Sequence, residues 1–148
     1  MPEQPEPKLK PQISLGPVPQ AKGPYAELQV TSNVSFLRGG SHPEELIARA
    51  AELGCRAVAI TDINTLAGIV RAHVTAKEVG VQFIVGCHLQ VKGSLGALAQ
   101  GAPTDPPPLS LLAYPTDRPA YGRLCRLLTY GKRKAAKGKC ILTLQDVV

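Results

Sequence analysis

Two side chains in this chain stand where α/β proteins build their sites. Asp62 directly follows the apolar run RAVAIT, and His88 closes the run FIVGCH. Ligands collect at the carboxyl ends of strands, so polar side chains there are candidates for a site. Each residue also has a plainer use. The Asp62 carboxylate can cap the segment that follows, accepting from backbone N–H groups near Asn64 to Leu66. His88 can hydrogen-bond locally. The plainer use is the expectation for both. A second group of residues is basic. Between Asp117 and Lys139 lie Arg118, Arg123, Arg126, Lys132, Arg133, Lys134, Lys137 and Lys139, against a single acid. Such a cluster suits a phosphate backbone, where affinity is driven by charge, or else a solvated face and a flexible loop. The run KRKAAKGK has no aromatic within it, so base stacking is not expected there.

The elements that position these residues alternate in type. The stretch 27–40, ELQVTSNVSFLRGG, begins as an alternating strand, breaks at Ser32-Asn33 and closes on paired glycines. Ser41 then caps a helix, with Glu44 completing a capping box and Pro43 in the first turn. Leu46, Ala50 and Leu53 share its inner face, widened by Ile47 and Ala51, and Gly54 ends it. His42 is expected to be exposed. A strand over 56–61 precedes a helix over 65–79, with Leu66, Ile69, Val70, His73 and Val74 inward and His73 a satisfied core histidine. Strand 81–85 leads through Gly86 into 87–91. A fourth apolar strand covers 109–114, a helix covers 117–130 with Tyr121, Leu124, Cys125 and Leu128 inward, and Gly131 terminates it. Continuous apolar strands alternating with helices indicate a parallel sheet covered by helices.

The totals bound the rest. A chain of 148 residues holds one domain at most. With no tryptophan and 4% aromatics, aliphatic side chains must fill the core. A net charge of +6 suits an anionic neighbour or an ordinary soluble domain. The four cysteines have no CxxC spacing, which argues for reduced thiols in a cytosolic protein rather than zinc or disulfides. No apolar run is long enough to span a membrane, and no secretory h-region is present. Residues 1–24 hold seven of the fourteen prolines and read as a disordered tail; residues 92–108 read as an exposed insertion. A helix start at Thr143 that runs out at Val148 reads as a fragment.

Four segments carry a resemblance: YAELQVTSNVSFLRGGSHPEELIARAAELG, AVAITDINTLAGIVRAH, FIVGCHLQV and LLAYPTDRPAYGRLCRLLTYGKRKAAKGKCILTLQDVV. Together they are similar to the N-terminal PHP (polymerase and histidinol phosphatase) domain of bacterial C-family DNA polymerase III alpha subunits, in the error-prone branch. The resemblance covers residues 25–148. It implies a partial, distorted, TIM-like (β/α) barrel. Metal-binding members of that family carry a His-x-His pair, an Asp-His pair and a glutamate at successive strand ends. Here those positions fall on Gln29 and Thr31, on Asp62 and Ile63, and on His88. Only Asp62 keeps its identity, and the family's later ligands lie beyond Val148.

The resemblance therefore implies the N-terminal segment of an error-prone polymerase used in replication and damage-tolerant synthesis. Its metal site is degenerate, with Asp62 and His88 as weak candidate ligands. No catalytic residue and no cofactor is expected in this segment, although a divalent metal is expected in the full-length polymerase. DNA is expected at Arg123, Arg126, Lys132, Arg133, Lys134, Lys137 and Lys139. The remaining partners expected are the rest of the polymerase and other replication or translesion proteins, with no membrane. Two alternatives stay open: a PHP-family phosphoesterase or 3′–5′ exonuclease, and a free-standing basic interaction module.

Overall fold

The computed structural model describes residues 25–92 and 108–147. The tail expected over 1–24 and nearly all of the insertion expected over 92–108 lie outside them. The described chain runs β1 (Ala26–Val30), α1 (Pro43–Glu52), β2 (Ala57–Ile60), α2 (Ile69–Val79), β3 (Gln82–Val85), β4 (Cys87–Val91), β5 (Leu109–Ala113), α3 (Arg118–Arg133) and α4 (Leu144–Val147). Strands β1, β2 and β3 form a parallel sheet in that order, as continuous apolar strands between helices require. All four residues of central β2 are buried.

The expectation of parallel strands fails at β4 and β5. These two pair antiparallel, with Cys87 opposite Ala113 and Val91 opposite Leu109. An apolar run reads the same in either direction, so strand 109–113 carried no signal of its orientation. β4 shows the alternation of a two-stranded unit packed on one face: Cys87, Leu89 and Val91 are buried while His88 and Gln90 are half-buried.

Two clusters form the core. Ile47 and Ala50 of α1, Val58 and Ile60 of β2, and Ile69, Ala72 and Ala76 of α2 make the first. Cys87, Leu89 and Val91 of β4, Leu124 and Leu128 of α3, and Leu142 make the second. Leu66 packs against both. Each fully buried branched side chain contributes roughly 1.5–3 kcal/mol of transfer free energy.

Several local expectations shift. The N-cap of α1 is His42 rather than Ser41, and Glu45, not Glu44, closes the turn by accepting from the His42 N–H at 2.9 Å. Glu44 is thereby free to pair with Arg71 on α2. His42 is exposed, as expected. α2 starts at Ile69, four residues late, and its inner stripe is Ile69, Ala72 and Ala76. Val70, Val74 and His73 face outward, with His73 tilted against Phe83 rather than buried. Small residues take the inner stripe because α1 lies close against it. α3 runs through Gly131 to Arg133. Gly131 is a contact point, not a stop: a Cβ there would lie 2.6 Å from Leu142 Cδ2 and 2.7 Å from Cys140 Sγ.

Candidate functional site

The site lies where β1 and β2 end. Past β1 the chain makes two successive turns, with Ser35 N–H donating to Ser32 O at 3.1 Å and Arg38 N–H to Ser35 O at 2.9 Å. Leu37 takes a left-handed φ of 60°, and the tip presents Phe36 and Leu37 to solvent, 84% and 87% exposed. Gly39 then passes so close to the loop's start that a Cβ would lie 2.3 Å from Ser32 O. That approach folds Ser32 and Ser35 inward, where both are buried.

They meet Asp62, which is 1% exposed. Asp62 Oδ1 accepts from Ser32 N–H at 2.9 Å and from Ser35 Oγ at 2.7 Å, and Oδ2 accepts from Ser32 Oγ at 2.7 Å. Ser35 Oγ in turn accepts from Ile63 N–H at 2.9 Å. An isolated buried carboxylate costs many kcal/mol, and three donors of this quality are what allow it. The expected cap of Asn64 to Leu66 is therefore not what the side chain makes. Its partners come from 27 and 30 residues upstream. The loop after β1 reaches this carboxylate because β1 and β2 are neighbours in the sheet.

Asp62 and His88 are adjacent through their backbones, His88 N–H donating to Asp62 O at 3.1 Å, but their side chains have different partners. His88 Nε2 hydrogen-bonds the Ser110 hydroxyl on β5. Gln29 is exposed, and Thr31 is half-buried; the hydrogen bonds to Asp62 at this end of the sheet come from Ser32 and Ser35. Ile63 has no ligand atom and holds its place through its N–H. Asn64, in a left-handed conformation with φ 51°, takes up the remaining connection. Its N–H donates to His88 O at 2.9 Å and its Oδ1 accepts from Gln90 N–H at 3.0 Å. Asparagine tolerates that conformation better than most residues.

As a divalent-metal pocket this set is a poor fit. Both Asp62 oxygens are taken by fixed donors, and Gly68 packs against Oδ2, its Cβ position 3.3 Å away. Among the described residues no three His, Cys, Asp or Glu side chains converge to hold a metal. A surface hollow of about 410 Å³ lies between α2 and β3 at His73, Lys77 and Phe83, away from Asp62.

Ser32 and Ser35 were not singled out from the sequence. The usable signal was a pair of hydroxyls three residues apart, directly after a strand and before a glycine pair, with a lone aspartate at the next strand end. Cys87 lies beside the same backbone, its Sγ 3.5 Å from Asp62 O, and burial pushes its thiol up to about 11.

The basic residues lie apart, on α3 and the following loop. Arg123, Arg126, Lys132 and Arg133 are exposed on the helix, and Lys137 and Lys139 are exposed after it. Lys134 is not a free cation: its ammonium lies 3.0 Å from Asp146 Oδ1 and 3.8 Å from the centre of the Tyr130 ring.

Comparison with known proteins bears on this arrangement. Residues 27–143 match the model of the PHP domain. The chain is 47% identical over 123 residues to the error-prone DNA polymerase of Rhodopirellula baltica, and 51% identical over 122 residues to that of Caulobacter vibrioides. These matches cover 83% and 82% of this chain but 10% of each polymerase; the chain spans about a tenth of the length of the curated relatives it matches. Among solved structures, an amidohydrolase from Chromobacterium violaceum superposes with a TM-score of 0.56 at 23% identity, over 73% of this chain and 33% of its own. At that identity the likeness is one of fold.

Proposed function

This chain belongs to the PHP domain family, and on that premise we propose that it is the N-terminal PHP segment of an error-prone DNA polymerase, with a structural rather than hydrolytic role. Identity of 47–51% to two such polymerases across more than four-fifths of the chain supports the assignment. The β1–β3 sheet with its helices, followed by the β4–β5 hairpin, would be the first part of a distorted (β/α) barrel. Nucleotidyl transfer would be carried elsewhere in such a polymerase, on its own divalent metals. The setting would be cytoplasmic synthesis across DNA damage, alongside the rest of the polymerase and other replication proteins. No helix among the described residues is long and apolar enough to cross a membrane.

The observation that carries the non-hydrolytic role is the bonding of Asp62. A hydrolytic metal cluster activates water through several charged ligands. Here the one retained carboxylate is buried under two serine hydroxyls and a backbone N–H. The serines supply hydrogen bonds where a metal would supply charge, and the end of the sheet is closed without an ion. Metal analysis after dialysis against zinc or manganese is expected to find no tightly bound ion. Tight binding of two or more ions per chain, with metal-dependent phosphoesterase or exonuclease activity lost in Asp62→Ala/His88→Ala, would establish the hydrolase instead.

A further inference from the structure

We propose that the outer face of α3 is a seat for single-stranded DNA, in which Arg123, Arg126 and Arg133 hold phosphates and Tyr130 stacks a base. This rests on the reading of the chain as part of a DNA polymerase and assigns that reading a contact surface.

The four residues are spaced by three, four and three along α3. At 3.6 residues per turn they fall within one narrow stripe, the terminal arginines separated by about 15 Å along the axis. The stripe faces away from the core, because Leu124, Leu128 and Gly131 are the buried side of the same helix. From Arg118 to Gln145 the sequence contains no acid. The two carboxylates that flank this run in the sequence are already engaged: Asp117 Oδ1 accepts from Ala120 N–H at 2.6 Å as the helix cap, and Asp146 is bonded to Lys134 and Thr143. The carbonyls at the end of a helix repel an anion, and Lys132, Arg133 and Lys134 offset them there.

Tyr130 distinguishes this face from an ordinary solvated one. It is 51% exposed, yet its ring is held. The Lys134 ammonium stands 3.8 Å from the ring centre. That ammonium is fixed by Asp146, which also accepts from the Thr143 N–H and hydroxyl, both at 2.8 Å. One ring face is thus covered by a braced cation, while half of the residue's surface stays open to solvent, where a base could reach it. A ring fixed in advance loses little freedom on binding. Base–aromatic stacking among phosphate-binding cations is the general means of gripping a strand without regard to sequence. A duplex hides its base faces and offers Tyr130 nothing to stack on.

The test is fluorescence anisotropy of the 148-residue chain with a labelled oligothymidylate of about 16 nucleotides, beside a duplex of the same length. Tyr130→Ala is expected to weaken strand binding by about tenfold or more, as loss of one stacked base does, while Tyr130→Phe binds like the parent. Arg126→Ala/Arg133→Ala is expected to lower the slope of log K against log salt by about 1.4, two single-strand phosphate contacts' worth. Arg56→Ala/Lys77→Ala, which removes equal charge elsewhere, leaves that slope unchanged. Circular dichroism checks that each variant keeps its helix content. Strand binding unaffected by Tyr130→Ala, a duplex bound as tightly as the strand, or no saturable binding at low salt would each overturn the seat. The recovered strand also separates the two proposals. Cleavage on adding manganese would sink the non-hydrolytic role and leave the seat standing; an intact strand that never binds would do the reverse.

Discussion

Asp62 shows how one carboxylate is accommodated inside an aliphatic core. Its hydrogen bonds depend most on Ser35, whose hydroxyl both donates to Asp62 and accepts from Ile63 N–H. Ser35→Ala leaves a buried acceptor and a backbone donor short of partners, and is expected to cost about 1–3 kcal/mol. A lowered urea midpoint at unchanged m would report it; an unchanged midpoint would mean the loop reorganises around Asp62. Cys87 gives the second expectation at this scale. Burial raises its thiol from 9.0 to about 11. Below pH 9 the thiol is protonated in both states and its burial stabilises in full. Between about 9 and 11 the unfolded chain ionises while the folded chain holds the proton, so stability falls as pH rises. Chemical denaturation across that window should show a shallower decline in Cys87→Ala. The position of Asp62 at a strand end was legible in the sequence. Its partners were not, because hydroxyls 27 and 30 residues away become neighbours only when β1 pairs with β2.

At the scale of elements, the helices are where pattern reading fell short, and each miss has a packing cause. The valines at 70 and 74 outrank alanines in hydropathy, but the buried side of α2 carries Ile69, Ala72 and Ala76, in one cluster with Ile47 and Ala50 of α1. Gly131 looks like a helix stop, yet it sits inside α3, where the returning segment presses Cys140 and Leu142 on it and Ile141 N–H donates to its carbonyl at 3.0 Å. Two glycines of one helix should therefore respond with opposite signs. Gly122 has open space at its Cβ position, so Gly122→Ala is expected to stabilise by about 0.5–1 kcal/mol through propensity. Gly131→Ala gains the same propensity but drives a methyl into Leu142, an overpacking cost of about 1–3 kcal/mol. Paired denaturation curves decide it, and stabilisation by both would mean that the 140–142 segment is free to move off α3. The tyrosine at 114 shows the same dependence on neighbours. The β1–β2 register shifts between Glu27 and Val30, and Tyr114 OH donates to Leu28 O at 2.6 Å in that interval.

Across the whole molecule, two apolar clusters are joined by a short bridge: the backbone of 62–64 running beside β4, Asn64 bonded to Gln90, and Leu66 packed against both. Asn64→Ala/Leu66→Ala removes the side-chain part of that bridge and leaves the backbone bonds of 62–64 to β4 in place. It is expected to turn one cooperative unfolding transition into two, visible as non-coincident curves from far-ultraviolet dichroism and from tyrosine fluorescence, which reports chiefly the β5–α3 side. A single coincident transition would show that the clusters are coupled elsewhere. The sequence by itself determined the order and type of the elements and the parallel β1–β3 sheet, because these follow from local periodicity and caps; the family was legible as a resemblance of whole segments to known sequences. It also placed the arginines of α3 and the aspartate at the end of β2. Only the tertiary structure decided that β5 runs antiparallel to β4, that Ser32 and Ser35 rather than a following backbone turn satisfy Asp62, and that Lys134 braces Tyr130. Each of these depends on which distant segments lie side by side, and apolar pattern is blind to strand direction and to the donors that a folded neighbour brings.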